Sequence, residues 1–317
     1  MIVKFFISIC VVLLGTLAIA EEKYPSRPIT FIIPWPAGGT ADASMRAIGE
    51  SLSKNLGVPV IVENRSGASG MLGVSQLVAS KPDGYTIGQI PLSITRQHHM
   101  GTISFNPLTD ITYLGRTAGL TFGLAVNSDS PIKTFSDYVR YAKLNPGKLN
   151  YGSTGIGTNT HVYMEEIAEQ VGIQLNHIPF KGGTDNLNAL LGGHTDSMMD
   201  SSVWAPHVQS GKLRLLAVFT DQRLEDFPNV PTVKELGIKI SGTAPNGIGA
   251  PKGIDPSIAK ILENAIEKAA KDTPHVDALK KYGMNLMWQS RKDYEQYIKE
   301  IHNKERMLVE RLKLKGT

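Results

Sequence analysis

From Ile29 onward the chain alternates short apolar runs with amphipathic stretches of helical length, and no run in this part is long enough to span a membrane. A run that is apolar but for one threonine, Ile29-Thr30-Phe31-Ile32-Ile33, suits a strand buried on both faces. The pattern therefore predicts an α/β fold with a mostly parallel sheet covered by helices. Strands are expected at Ile29 to Ile33, Val58 to Val62, Tyr85 to Ile90, Phe122 to Val126, Leu149 to Gly152, Leu175 to Pro179, Asp196 to Met199 and Leu213 to Phe219. Helices are expected at Thr40 to Leu56, Met71 to Ser80, Phe135 to Leu144, Thr160 to Val171 and Thr184 to Leu191.

A chain of 317 residues exceeds what one compact core ordinarily uses, which favours two domains. Late in the chain, Pro256 to Lys271 and Arg291 to Leu314 read as long charged amphipathic helices that pack against the first half. The polypeptide is thus expected to leave lobe 1 near Leu120, build lobe 2 and return near Asp221. This assigns residues 21–120 plus 222–317 to lobe 1 and 121–221 to lobe 2, with a cleft between two crossing segments.

One apolar run stands apart. Phe5 to Ala20 follows Lys4 and closes on Ala18-Ile19-Ala20 before Glu21-Glu22, the basic, apolar, small-residue order of a secretory signal peptide over residues 1–20. The single cysteine, Cys10, lies inside it, so the mature chain would have neither a disulfide nor a thiol nucleophile. Loss of Lys4 with the leader lowers the formal net charge from +4 to +3. The Lys and Arg residues are scattered, without a basic stripe interleaved with aromatics, which argues against a nucleic-acid partner and leaves room for a small anionic one.

Three glycine-rich strand-to-helix turns carry the chemistry: Pro34 to Asp42, Tyr151 to His161 and Pro179 to Asn186. Glycines let a ligand approach the backbone, and the free amides at the start of the following helix attract an anion without an arginine. Turns of this kind gather beyond the carboxyl ends of strands, where open α/β sheets bind ligands. His161 could touch a ligand or be structural, and Trp35 could form a lip or cover its loop. Asp200 could receive a ligand amino group or cap the helix that holds Trp204.

Other motifs fail. Gly155-Ile156-Gly157-Thr158-Asn159-Thr160 has Thr160 where a dinucleotide fingerprint needs its third glycine. Gly67-Ala68-Ser69-Gly70 lacks the spacing of a nucleophile elbow, and Ser69 reads as a loop or cap residue. The eight histidines form no metal motif, and His98-His99 reads as a solvated loop pair, so neither metal nor cofactor is expected.

At these turns, and at Asn64 to Gly70, Pro82 to Thr86, Leu191-Gly192-Gly193 and Pro228 to Thr232, the chain resembles the Bug family, the extracytoplasmic receptors of tripartite tricarboxylate transporters. The resemblance spans nearly all of the mature chain. It implies a type II periplasmic binding fold, two lobes closing over a small organic anion in the periplasm, with no catalysis. It implies carboxylate binding at Ala37, Gly38, Gly39, Thr40 and Asp42 and at Ser153, Gly155, Gly157, Thr158 and His161. Lys181, Gly182 and Asp200, with Asp185 beside them, would face the variable end of the ligand.

Two departures from the family pattern stand out, Thr184-Asp185-Asn186 after the third turn and Ala244-Pro245-Asn246-Gly247 at the late crossover. An acid and an amide there suit a more polar guest with an amino, hydroxyl or ring-nitrogen group. The favoured function is a receptor delivering a carboxylate to membrane transporter subunits. The rivals are a secreted serine hydrolase using Ser153 or Ser69 with His161, and a ligand sensor for a signalling ectodomain.

Overall fold

The computed structural model describes residues 23–240 and 244–315, so the leader expected over residues 1–20 and Cys10 lie outside the described residues. The first elements are β1 (Ile29–Ile33), α1 (Thr40–Leu56), β2 (Val60–Asn64), α2 (Met71–Val78), β3 (Thr86–Ile90), α3 (Ser93–His99) and β4 (Ile111–Leu120). After Thr121 come β5 (Phe122–Asn127), α4 (Phe135–Leu144), β6 (Asn150–Ser153), α5 (Asn159–Val171), β7 (Asn176–Pro179), α6 (Gly183–Leu191), β8 (Ser197–Ser201), α7 (Ala205–Gln209) and β9 (Leu213–Val218). The chain ends with β10 (Ala244–Pro251), α8 (Pro256–Lys271), α9 (Thr273–Lys281), β11 (Asn285–Gln289) and α10 (Arg291–Arg311).

Why Ile29 to Ile33 forms a central strand follows from its two faces. Ile29, Phe31 and Ile33 point to one side and pack with Met45, Ile48 and Leu52 of α1, while Ile32 points to the other and packs with Met71, Val74 and Leu77 of α2. Every one of these side chains is at most 4% exposed, and burying each contributes about 1.5–3 kcal/mol relative to leaving it in water. Helix α1 stops where Gly57 turns to φ 71°, with its amide bonded to the Ser53 carbonyl.

The strands form two sheets, β11-β4-β10-β3-β1-β2 in lobe 1 and β7-β6-β8-β5-β9 in lobe 2. The expectation of a mostly parallel sheet needs correction. Pairs β1/β2, β1/β3, β6/β7 and β6/β8 are parallel, but β10 is antiparallel to both β3 and β4, β11 to β4, and β5 to both β8 and β9. Strands β5 and β10 follow directly on passages between the lobes, and each runs against its neighbours in the sheet it enters. Helices α3 and α9 and strands β4, β10 and β11 were not expected from the sequence.

The lobes also meet through side chains. Arg96 on α3, 1% exposed, forms a two-pronged pair with Glu305 on α10, both contacts at 2.6 Å, and donates to the Gly157 carbonyl of lobe 2 at 2.8 Å. Ser69 and Gln97 both donate to the neighbouring Ile156 carbonyl, at 2.8 and 2.7 Å. Near the surface, Arg311 of α10 pairs with Glu166 and Glu169 of α5. Gly155, at φ 126°, approaches Ser69 so closely that a β-carbon would collide with it.

Breaking the buried pair from one side strands a charge. Glu305→Leu is expected to destabilise the protein by about 3–5 kcal/mol in urea denaturation, and the double variant Arg96→Met/Glu305→Leu by less, because no lone buried charge remains. Costs that simply add would show that the two side chains act independently.

Candidate functional site

The carboxyl ends of β1, β3, β6 and β8 open on one cavity between the lobes. Its wall includes Trp35, Pro36, Gly39, Thr40, Ala41, Gln89 and Ser93 from lobe 1, and Thr154, Thr158, Asn159, Thr160, Gly183, Asp200 and Ser201 from lobe 2. The crossing segments add Leu120, Phe122, Ala244 and Pro245. At about 70 Å³ it has room for a compact molecule, since a single water needs about 10–15 Å³ by the same measure.

Helices α1, α3, α5 and α6 begin at this wall, and all four are left without side-chain caps. The N-cap residues include Gly39 for α1, Thr158 for α5 and Gly182 for α6, and none accepts a hydrogen bond from its helix through a side chain. The Thr158 hydroxyl instead donates to the Gly155 carbonyl at 2.7 Å. Away from the cavity, Thr134 and Asp137 form a reciprocal box on α4, Asp255 caps α8 and Ser290 caps α10, whereas α2, α7 and α9 have no side-chain cap. A helix start carries roughly half a positive charge, so the ends of α1 and α5 together match about one carboxylate.

Comparison with known proteins agrees with this geometry. A family model described as the tripartite tricarboxylate transporter family receptor matches residues 44–314. The chain belongs to this family, the Bug receptors. The UPF0065 protein in gbd 5'region of Cupriavidus necator is 44% identical over 293 residues, covering 92% of this chain and 90% of the relative. The solved periplasmic binding protein BugD superposes with a TM-score of 0.89 at 26% identity, over 93% of this chain and all of that one. An R. palustris protein solved with adipate superposes with a TM-score of 0.87 at 25% identity, over 93% and 100%. The two-lobed type II binding architecture is thus that of the family.

In this Bug receptor the residues singled out from sequence divide into two groups. Gly39, Thr40, Thr158 and Asp200 stand on the cavity wall. Ala37, Gly38, Asp42, Ser153, Gly155, Gly157, His161, Lys181 and Gly182 do not. Asp42 is turned inward, accepting from the Gly38 amide at 2.9 Å, Arg46 at 3.0 Å and Asn64 at 2.7 Å, and so fixes the first turn. The Ala37 carbonyl accepts from Thr184 across the cleft at 3.0 Å, and Thr40 bonds Ser201 across it at 2.5 Å. Gly182 lies against the Pro36 ring, where a side chain would not fit, and Lys181 is exposed.

Ser153 is fully buried, 2.6 Å from His177 Nε2, and His177 stacks on His161 with ring centres 4.1 Å apart. The Gly157 amide donates to His161 Nδ1 at 3.1 Å. Burial first, then the neighbouring His177 and Arg96, pushes the His161 pKa down to about 3, and burial pushes that of His177 down to about 4. Both rings are therefore neutral props of the second turn. Asp185 is off the wall, whereas Gln89, Ser93 and Asn159 are on it without having been singled out. The strand-to-helix passage Ile90-Pro91-Leu92-Ser93 has no glycine, and its Pro-x-Ser was the available signal. His98 and His99 end α3 and pack on His302 rather than forming a loop pair. Among the described residues no group of His, Cys, Asp or Glu could hold a metal ion.

Asp200 sits inside β8, completely buried, accepting from Asn186 at 2.7 Å and Ser201 at 3.3 Å. Burial outweighs these bonds and pushes its pKa up to about 7. Between pH about 4 and 7 the folded protein then keeps a proton that the unfolded chain has released, so this stabilising contribution is complete below pH 4 and lost as pH rises to 7. Asp200→Asn, which cannot ionise, should gain stability relative to the parent over that interval, by up to about 4 kcal/mol in urea titrations. A stability difference independent of pH would show that Asp200 keeps an ordinary pKa.

Proposed function

We propose that the protein is a periplasmic receptor that captures a small carboxylate between its lobes and hands it to a tripartite tricarboxylate-type membrane transporter, without chemistry. The observation that carries this reading is the meeting of two uncapped helix N-termini, α1 from lobe 1 and α5 from lobe 2, on one cavity. An anion held by both would favour the closed arrangement of the lobes by its differential affinity for it. The adipate seen in the R. palustris relative supports the carboxylate class. Residues 1–20 would direct export and be removed with it.

The return to lobe 1 expected near Asp221 falls later: Leu224, Phe227 and Val230 pack with Trp204, and Val233, Ile238 and Ile240 with Phe122 and Leu216, which supports a lobe 1 of residues 21–120 and 244–317 in place of 222–317 and a lobe 2 that extends past residue 221. Gly39, Thr40, Thr158 and Asp200 would line the ligand directly. Ala37, Gly38, Asp42, Ser153, Gly155, Gly157, His161, Lys181 and Gly182 would shape the turns and their approach. Burial of Ser153 behind the wall supports binding over hydrolysis, because a nucleophile must reach its substrate.

Adipate and shorter carboxylates should raise the melting temperature, with stabilisation growing as RT ln(1 + [L]/Kd), about 2.7 kcal/mol at a hundredfold excess over Kd. Neutral amides of the same acids should shift it far less. Asn159 is the first residue of α5, after an extended Thr158, so proline fits there and deletes one amide donor. Asn159→Pro should weaken the carboxylate by about tenfold or more in isothermal titration while leaving the helix intact by circular dichroism. Unchanged affinity in a folded variant would show that the α5 amides do not hold the ligand.

A further inference from the structure

A line of buried hydrogen bonds runs from the back of lobe 1 to the cavity, and each link has a fixed direction. It starts at the Ala270 carbonyl, which can only accept, so His275 Nδ1, 2.8 Å away, carries the proton. His275 is fully buried, and burial holds its pKa below the ordinary value, leaving a neutral ring whose Nε2 accepts. Ser44, 3.0 Å from that nitrogen, donates to it and in turn accepts from Asn246 Nδ2 at 3.1 Å. This turns Asn246 Oδ1 toward Gln89, whose Nε2 donates to it. Gln89 is left with Oε1 as a free acceptor: the side chain lines the cavity, is 2% exposed, and this atom has no partner.

The second acceptor is Asp200. It is the sole ionisable side chain among the described residues of the wall, and the groups that bond its carboxylate, Asn186 and Ser201, are both neutral. The carboxylate also lies beside Gly183, at the start of α6, which leaves the starts of α1 and α5 for the ligand's own anion. A buried acceptor without a donor costs about 1–3 kcal/mol, and an ionised buried carboxylate bonded only by neutral groups is costly too.

Resting on the carboxylate reading above, we propose that the ligand is an amino-bearing carboxylate. Its carboxylate takes the amides at the starts of α1 and α5, and its cationic N–H donors meet Gln89 Oε1 and Asp200. A hydroxyl would satisfy Gln89 alone and leave Asp200 without a counter-charge. A second carboxylate would set like charge in the same cavity and force Asp200 to take up a proton.

Isothermal titration of the mature protein at pH 8 tests this with straight-chain monocarboxylates of three to six carbons, their 2-amino and terminal-amino counterparts, and the matching dicarboxylates. At least one amino compound should bind about tenfold or more tighter than both its parent and its dicarboxylate. That preference should collapse in Asp200→Asn and shrink in Gln89→Met. If Asp200→Asn does not fold, the wild-type ranking and Gln89→Met still decide the matter. Dicarboxylates binding most tightly, with proton uptake, or an amino preference that survives both substitutions, would overturn the amino-bearing class and leave the carboxylate reading standing. Failure of every carboxylate to bind, with neutral analogues binding instead, would overturn both.

Discussion

Strand β10 is the element on which the rest depends. It lies between β3 and β4, antiparallel to both, and all of its residues from Ala244 to Pro251 are buried. Because it arrives only after the chain has built lobe 2, the sheet of lobe 1 is incomplete until the chain returns. The same strand puts Ala244 and Pro245 on the cavity wall and places Asn246 where it orients Gln89. At Gly247 the Tyr294 ring occupies the space a side chain would need, which locks α10 onto the strand. Fold, cavity shape and the polarity of the cavity floor are thereby tied to one segment.

The cavity owes its character to what its helices lack. Capping side chains appear on α4, α8 and α10, where they satisfy the helix starts locally; they are missing on α1, α3, α5 and α6, whose starts face the cleft, and also on α2, α7 and α9. Fixed backbone dipoles attract an anion without the conformational entropy lost when a long basic side chain is immobilised. The turns must then be held from behind, and they are: Asp42 braces the first, while Ser153, His177 and His161 brace the second from inside lobe 2. Arg96, Ser69 and Gln97 grip that second turn from the opposite lobe.

These two features make the receptor's selectivity a matter of complementary polarity. The helix starts supply donors, and Gln89 and Asp200 supply acceptors, inside a space with no basic side chain among its described lining residues. At the late crossover, Ala244-Pro245-Asn246-Gly247, Asn246 is the link that fixes Gln89.

Local pattern alone determined a good deal. The bounds of β1, α1, α4 and α8 follow from runs whose burial demands are local: two apolar faces for β1, one apolar stripe for each helix. The glycine-rich turns at Pro34 to Asp42 and Tyr151 to His161 announced where backbone would be bared. Strand β10 could not be read this way, because Ala-Pro-Asn-Gly-Ile-Gly-Ala-Pro has poor strand propensity and no alternation; its conformation is imposed by partners on both sides. Nor could the sequence separate ligand-facing from bracing residues within a turn. Thr158 and Ser153 look alike in the chain, yet one lines the cavity and the other is buried against His177. Which way a side chain faces depends on contacts with residues distant in sequence, and those exist only after the lobes have formed.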